Sequence, residues 1–321
     1  MLFDVMCVGE MVIDFTPGRE EGSYIRNAGG APANVAIALS RFGRISAFCG
    51  KLGNDDFGRF LLRTLQEDKV QMLCNTLTDR AVTTMTFVTL GENGERSFTF
   101  ARKPGADMLL KPNDIAERDI QNSTVVHAGS CSLSRGSARE ATKLAMRLGH
   151  ENGELVSFDL NYRELLWENG EEAERQIKSV LPYVDLLKVS DEEVFLIGGE
   201  KHIPDMMNDY GISTVVLTRG SEGARAYFGG RMLQISAGKA DVADTNGAGD
   251  AFWGGFLSSI LDQGVVSTAQ LDDETIWNAL RFGTAAGWLT VQKYGAIPAL
   301  PTKVQVEDVL NNPIRGEKHG I

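Results

Sequence analysis

Residues 244–250 read DTNGAGD, two carboxylates around a turn whose centre, Gly247-Ala248-Gly249, carries almost no side chain. Such residues let backbone N–H groups face a ligand directly. The following AFWGGFLSSIL places Phe252, Phe256 and Ile260 four apart, which predicts a helix starting at the turn. A helix start exposes unpaired N–H donors and about half a positive charge. The turn is therefore a candidate hole for an anion, and a phosphoryl group in transit is such an anion. Asp250 falls in the first helical turn, where its carboxylate stays ionised and can take a proton from an attacking hydroxyl. Taken alone it is equally an ordinary first-turn acid. Asp244 has its own plain reading, an aspartate that stabilises the turn through its side chain.

Two familiar phosphate loops do not fit. The nearest approach to GxxxxGK[ST], GRISAFCGKL, has the wrong spacing, and Leu52 follows Lys51. A GxGxxG fingerprint would need glycine at 252, where phenylalanine stands.

The elements that must position this turn alternate along the chain. Apolar runs predict strands at 4–8, 45–51, 124–128, 155–159, 186–190 and 214–218, and their continuity suits strands covered on both faces. Helical patterns occupy 32–42, 134–151, 171–181 and 274–290, the first ending at Gly43 as a C-terminal cap. This rhythm predicts an α/β fold with an open, mostly parallel sheet and helices on both faces. One region breaks it. Residues 83–110 show two alternating runs around Asn93-Gly94, a strong hairpin turn. With 12–24 they predict a small separate β-sheet that suits a lid.

The chain has 321 residues, 43% hydrophobic and 23% charged, and a formal net charge of −11. That balance disfavours a binder of nucleic-acid backbones, and no basic run of five occurs. Cys7, Cys49, Cys74 and Cys131 form no CxxC pair and read as free thiols. No apolar run reaches membrane length, and the first residues lack a basic leader, so the expected setting is the cytoplasm with no membrane partner. The final RGEKHGI reads as a frayed tail.

A second stretch, NAGGAPANVAIALSRFG at 27–43, changes the weight of the first. In this order the two closely resemble the N- and C-terminal signatures of the PfkB, or ribokinase-like, carbohydrate kinases. GEMVIDF, GKLGNDDFGRFL, DLNYRELLW, VLTRGSEGA and YGAIPALPT extend the resemblance over residues 3–310. It implies one ribokinase-like domain over 1–321, with a lid from about 12–27 and 83–106. It also implies transfer of the γ-phosphate of ATP to a sugar hydroxyl, with Mg²⁺ and a monovalent cation such as K⁺. SFTFARKPGADMLL and DLNYRELLW look most like fructokinases, making D-fructose the expected sugar. The 2-keto-3-deoxygluconate kinases share much of the pattern and are the alternative, ahead of ribose or riboside kinases.

By resemblance, Asp250 is the base, and Gly247, Ala248 and Gly249 form the anion hole. Asp14, Gly29, Gly30 and Asn34 match sugar contacts. Arg102 matches an arginine that points at the sugar, and Asn161 and Arg163 follow a strand end facing the same site. Glu193 matches the acidic end of an NxxE motif tied to magnesium and phosphate, although Ser190 stands where asparagine is usual. Thr218 and Gly220 match an ATP-binding turn, and Asn278 and Thr284 lie on a helix expected to line the adenine pocket. Asp244 and Gly295 are the candidates for the monovalent cation. An exposed edge of the small sheet could pair with a second copy, so a homodimer is expected.

Overall fold

The structure is a computed structural model that describes residues 2–18, 20, 22–74, 76–90 and 96–312. The chain opens with β1 (Phe3–Val8), passes through β2 (Val12–Pro17) and β3 (Tyr24–Gly29), and enters helix α1 (Ala31–Arg41). Pro32 suits the first turn of α1, where its missing N–H would have no partner anyway. Gly43, at φ +85°, ends the helix, and Arg44 N–H donates to Leu39 O at 2.9 Å. That bond is the long one of a Schellman motif.

The chain continues through β4 (Ser46–Cys49), β5 (Leu52–Gly53), α2 (Asp56–Glu67), β6 (Gln71–Met72), β7 (Leu77–Thr78), β8 (Met85–Leu90) and β9 (Arg96–Ala101). Strands and helices then alternate: α3 (Glu117–Gln121), β10 (Ser123–Gly129), α4 (Ala138–Asn152), β11 (Leu155–Asp159), α5 (Gly170–Lys178), β12 (Leu186–Ser190), α6 (Ile203–Tyr210) and β13 (Thr214–Thr218). The hairpin β14 (Ala224–Phe228) and β15 (Arg231–Ile235) follows, then α7 (Ala248–Asp262), α8 (Asp273–Thr290) and α9 (Lys303–Asn311).

Nine strands form the main sheet in the order β15-β14-β13-β12-β11-β10-β1-β4-β6. Pairing is parallel from β6 to β13, and the β14–β15 hairpin closes one edge antiparallel. Every residue of β4, β10 and β11 is buried, as expected where helices cover both faces. One face packs Phe42, just past α1, with Phe252 and Phe256 from α7 and Phe282 from α8. The other packs Phe158 and Val189 against Met146, Ile177, Ile203 and Met206 from α4, α5 and α6.

The predicted strands at 155–159, 186–190 and 214–218 coincide with β11, β12 and β13, and the others shift by a few residues. The helix expected over 134–151 starts later, at Ala138, because residues 134–137 form a bend in which Gly136 holds φ +79°.

A second sheet of four strands stands apart, in the order β3-β2-β8-β9. Strands β8 and β9 pair antiparallel from Met85↔Ala101 to Leu90↔Arg96. The expected Asn93-Gly94 turn lies outside the described residues. Two aspartates fix this sheet to the body. Asp55 accepts from Thr83 N–H at 2.8 Å, Thr83 Oγ1 at 2.7 Å and Gly58 N–H at 2.7 Å. Asp107 accepts from Thr84 Oγ1 and from Arg102 Nε, the latter at 2.8 Å.

All four cysteines are free thiols, with Cys7, Cys49 and Cys131 buried. Among the described residues, no helix is long and apolar enough to cross a membrane.

Candidate active site

The carboxyl ends of the parallel strands converge where open α/β sheets take ligands. Glu10 follows β1, Ser130 follows β10, Asn161 follows β11, and Lys188 is the middle residue of β12. Helices α1 and α7 aim their N-termini at the same place. Asn34 Nδ2, in the first turns of α1, donates to Asp250 Oδ2 at 2.7 Å, so the two signatures meet through one hydrogen bond. Asn34 is buried, and its Oδ1 has no partner among the described residues.

The turn before α7 has the shape an anion hole needs. Gly247 adopts φ +76°, which glycine alone reaches without strain, and a Cβ there would sit 2.9 Å from Ala296 Cβ. Ala248 N–H donates to Thr245 O at 3.3 Å and so belongs to the turn itself. That corrects the expectation that Ala248 offers a donor. No acceptor is recorded among the described residues for the N–H groups of Gly247, Gly249 or Asp250. These are orphan donors at a positive helix end.

Asp250 is partly buried, and burial pushes its carboxyl up to about 6. The Asn34 hydrogen bond and the Lys188 and Arg163 charges pull it down, while Asp159 pushes it up. Asp14 is likewise pushed up to about 6, mainly by burial, against the pull of a Thr86 hydrogen bond. Gly29 makes room for it, since a Cβ there would lie 2.0 Å from Asp14 Oδ2. Gly30, at φ +111°, passes close under the chain, with Glu10 O 2.7 Å from where its Cβ would be. The Asp250 charge reaches Asp14 and Glu10, and the Arg163 charge reaches both Asp14 and Asp250.

Asn161 holds φ +36°, uncommon for a residue with a side chain, and such strain clusters at ligand sites. Arg163 keeps a 53% exposed side chain and faces Glu193 at 3.9 Å. Glu193 is buried, its Oε1 accepting Tyr162 N–H at 2.8 Å and its Oε2 accepting Ser190 N–H at 3.1 Å. It therefore ties the 161–163 loop to the end of β12.

Asp244 is buried and accepts Gly295 N–H at 2.9 Å and Asn246 N–H at 3.1 Å. The second bond makes the expected side-chain turn, and the first brings Asp244 and Gly295 together. Thr218 Oγ1 donates to Val189 O at 3.4 Å, and Gly220, at φ +50°, opens the next turn with nothing against it.

Two expected residues are placed otherwise. Arg102 is buried, its guanidinium in an ion pair with Asp107 and donating to Ser134 Oγ at 2.9 Å and Cys131 O at 3.4 Å. Each nitrogen of the guanidinium has a protein partner, so it does not point a free fork at the cleft. Asn278 donates to Gln263 Oε1 at 3.2 Å, at the far end of α7. Helices α7 and α8 run antiparallel, so Asn278 lies about 20 Å along the axis from the turn, at 1.5 Å per residue. Thr284, six residues further along α8, packs nearer the start of α7, and its buried Oγ1 has no partner among the described residues.

Two residues escaped sequence reasoning. Glu10 is buried with Oε2 unpartnered, and burial pushes it up to about 7. Lys188 is buried, with Nζ 2.8 Å from Asp159 Oδ2. A lysine inside the apolar run LLKVS was the available signal.

Comparison with known proteins agrees with this geometry. The profile of the pfkB family carbohydrate kinases matches residues 2–303. A probable fructokinase-2 of Arabidopsis thaliana is 40% identical over 321 residues, covering 94% of this chain and 97% of its own length. Fructokinase-2 of Solanum lycopersicum is 40% identical, covering 93% of each chain. Fructokinase with bound ATP from Xylella fastidiosa superposes with a TM-score of 0.89 at 32% identity, over 96% of this chain and 98% of that one. A double mutant of Vibrio cholerae O395 fructokinase, bound to fructose, ADP and potassium ion, gives 0.86 at 34%, over 96% and 98%. With both signatures meeting at one hydrogen bond and the whole fold shared, the chain belongs to the pfkB family of carbohydrate kinases.

Proposed function

We propose that this protein transfers the γ-phosphate of ATP to D-fructose, giving fructose 6-phosphate. The observation that carries the reading is the first turn of α7. There a carboxylate held by Asn34 stands beside open N–H donors, with a second carboxylate, Asp14, across the cleft. The relatives described above are fructokinases, and one binds fructose with ADP.

In this reading Asp14 grips sugar hydroxyls, with Gly29 clearing the space and Asn161 and Arg163 closing the other side. Asp250 accepts the proton of the attacking hydroxyl as that oxygen meets phosphorus. The open N–H groups take charge developing on the phosphoryl oxygens, so positioning and electrostatics do most of the work. Thr218, Gly220 and Thr284 belong to the nucleotide side. Arg102 acts indirectly, by holding the small sheet to the body.

The small sheet works as a lid that keeps water from the phosphoryl group. Magnesium would be held by the nucleotide and, through water, by Glu193 and Ser190, since both Glu193 oxygens already accept backbone N–H groups. It would neutralise phosphate charge. Asp244 supplies a buried carboxylate beside Gly295 that suits K⁺, which would stiffen the turn. Exposed Tyr24 and Ile25 on edge strand β3 favour a homodimer through the small sheets. The cytoplasm is the proposed setting.

The test is ADP release from Mg·ATP with D-fructose and 2-keto-3-deoxygluconate side by side. A fructose-dependent signal lost in Asp250→Asn is expected. A signal with the keto acid alone would move the protein to the alternative substrate.

A further inference from the structure

Lysine 188 reaches the anion turn from below. A Cβ on Gly249 would lie 3.3 Å from Lys188 Nζ, so the ammonium occupies the flank that the missing side chain leaves open. Gly249 is the second residue of α7, one of the positions whose N–H is without an acceptor. Its Cβ direction points back toward the helix N-terminus, as on any helix. An ammonium there is within reach of an anion seated on the turn.

Lys188 is 6% exposed, and Asp159, its ion-pair partner, is 1% exposed at the side chain. An ammonium has three donors. Among the described residues, one acceptor is recorded for it, Asp159 Oδ2 at 2.8 Å. Burying a charge with donors left over is costly unless something completes the set. The pairing is equally incomplete on the other side, where Asp159 Oδ1 is buried without a partner. Strand register explains how the pair arises, since Asp159 and Lys188 stand opposite each other in the parallel β11–β12 ladder.

We propose that Lys188 is a further catalytic residue, an ammonium that donates to an oxygen of the transferred phosphoryl group at the 247–250 turn. The proposal rests on the kinase reading above. Lys188 gives up no proton. It remains a cation and supplies charge where the transition state spreads negative charge over the equatorial oxygens, while Asp159 holds it in place. Its ligand is the terminal phosphate, so it distinguishes ATP from ADP.

The test uses the full chain and reads two things. Lys188→Met alone would leave Asp159 buried without a counter-charge, so it is paired with Asp159→Asn, which removes both charges together. Binding of Mg·ATP and Mg·ADP is measured by calorimetry with no sugar present, so the result does not depend on which sugar is used. The double variant is expected to lose about tenfold or more in ATP affinity, as for a charge-assisted hydrogen bond, with ADP affinity nearly unchanged. In sugar phosphorylation its kcat is expected to fall about 10²-fold or more, the cost of one lost hole donor, with KM for the sugar little changed. Lys188→Arg keeps the cation and is expected to keep the ATP–ADP difference. Equal changes for both nucleotides, a recovered kcat in the double variant, or loss of the difference in Lys188→Arg would overturn the proposal and leave a structural ion pair. A wild type that binds Mg·ATP without turning over fructose would remove the sugar assignment and leave the Lys188 result standing. A wild type that does not bind Mg·ATP would overturn both.

Discussion

Two buried ion pairs flank the cleft, and they are built differently. Arg102 and Asp107 close the base of the small sheet. Their set is saturated atom by atom: Thr84 donates to Asp107, and Ser134 and Cys131 accept from Arg102, so no polar side-chain atom of the pair is left without a partner. Lys188 and Asp159 lie under the anion turn, and their set is open, with Asp159 Oδ1 unpartnered. A saturated buried pair makes a rigid joint. An unsaturated one has capacity for a ligand, and here it sits where the sheet, two helix N-termini and Asp250 converge. In the proposed reading the same chemistry serves as fastening at one place and as a site at the other. The number of neighbouring hydrogen-bond partners makes the difference.

The sharpest way to test the open side is Asp250→Asn, which keeps shape and removes the proposed base. Loss of about 10²–10⁴ in kcat is expected on general-base grounds, with thermal stability near wild type, as steady-state kinetics and a melting curve would show. The saturated side should break in the opposite manner. Arg102→Met leaves Asp107 buried and unpaired, and a loss of about 3–5 kcal/mol in denaturant unfolding is expected. Arg102→Met/Asp107→Asn should recover much of that loss and leave KM for the sugar close to wild type. A large rise in KM in the double variant would instead make Arg102 a sugar contact.

A smaller effect is expected at the turn itself. Gly247→Ala forces a side chain into a left-handed position against Ala296 and should cost about 1–2 kcal/mol, seen in the melting temperature, with a matching fall in kcat. The mildest effect is on pH. Asp250 is pushed up to about 6 by burial and must be ionised to accept a proton. Activity should therefore rise as pH increases through about 6. Asn34 donates to the charged form, so Asn34→Ala should move that acidic limb upward, by about one unit at most. A downward shift would mean that another group sets the limb.

Much of the fold could be read from local pattern. Nearly continuous apolar runs mark β11, β12 and β13 at their observed bounds, because strands buried on both faces favour apolar side chains on both. The β8 and β9 pairing was also legible, since alternation and a turn signal are local. The short strands β5, β6 and β7 escaped, because their pairing partners lie in other segments of the chain, as Leu52 does opposite Leu77. The β14–β15 edge hairpin was missed although its Gly229-Gly230 turn is a local signal. At the site, Asp250 and the 247–249 turn stood out by residue type and spacing, and Asp14, Gly29, Gly30 and Asn34 by resemblance to the family signatures. Asn34 read as a sugar contact, and only folding showed it bound to Asp250, 216 positions away.

Arg102 and Asn278 show the limit most clearly. Their types suit a ligand, but Arg102 meets Asp107 and Asn278 meets Gln263, and neither pairing is visible in spacing. Lys188 shows the converse, a residue that looked like part of a strand until register set it beside Asp159 and under Gly249. By itself the sequence determined the family, the alternating α/β architecture and the turn that can hold an anion, since these depend on local conformation and residue type. The tertiary structure alone decided which charged side chains are saturated and which remain open. That depends on hydrogen-bond partners brought together from distant parts of the chain, and those partners separate a joint from a site.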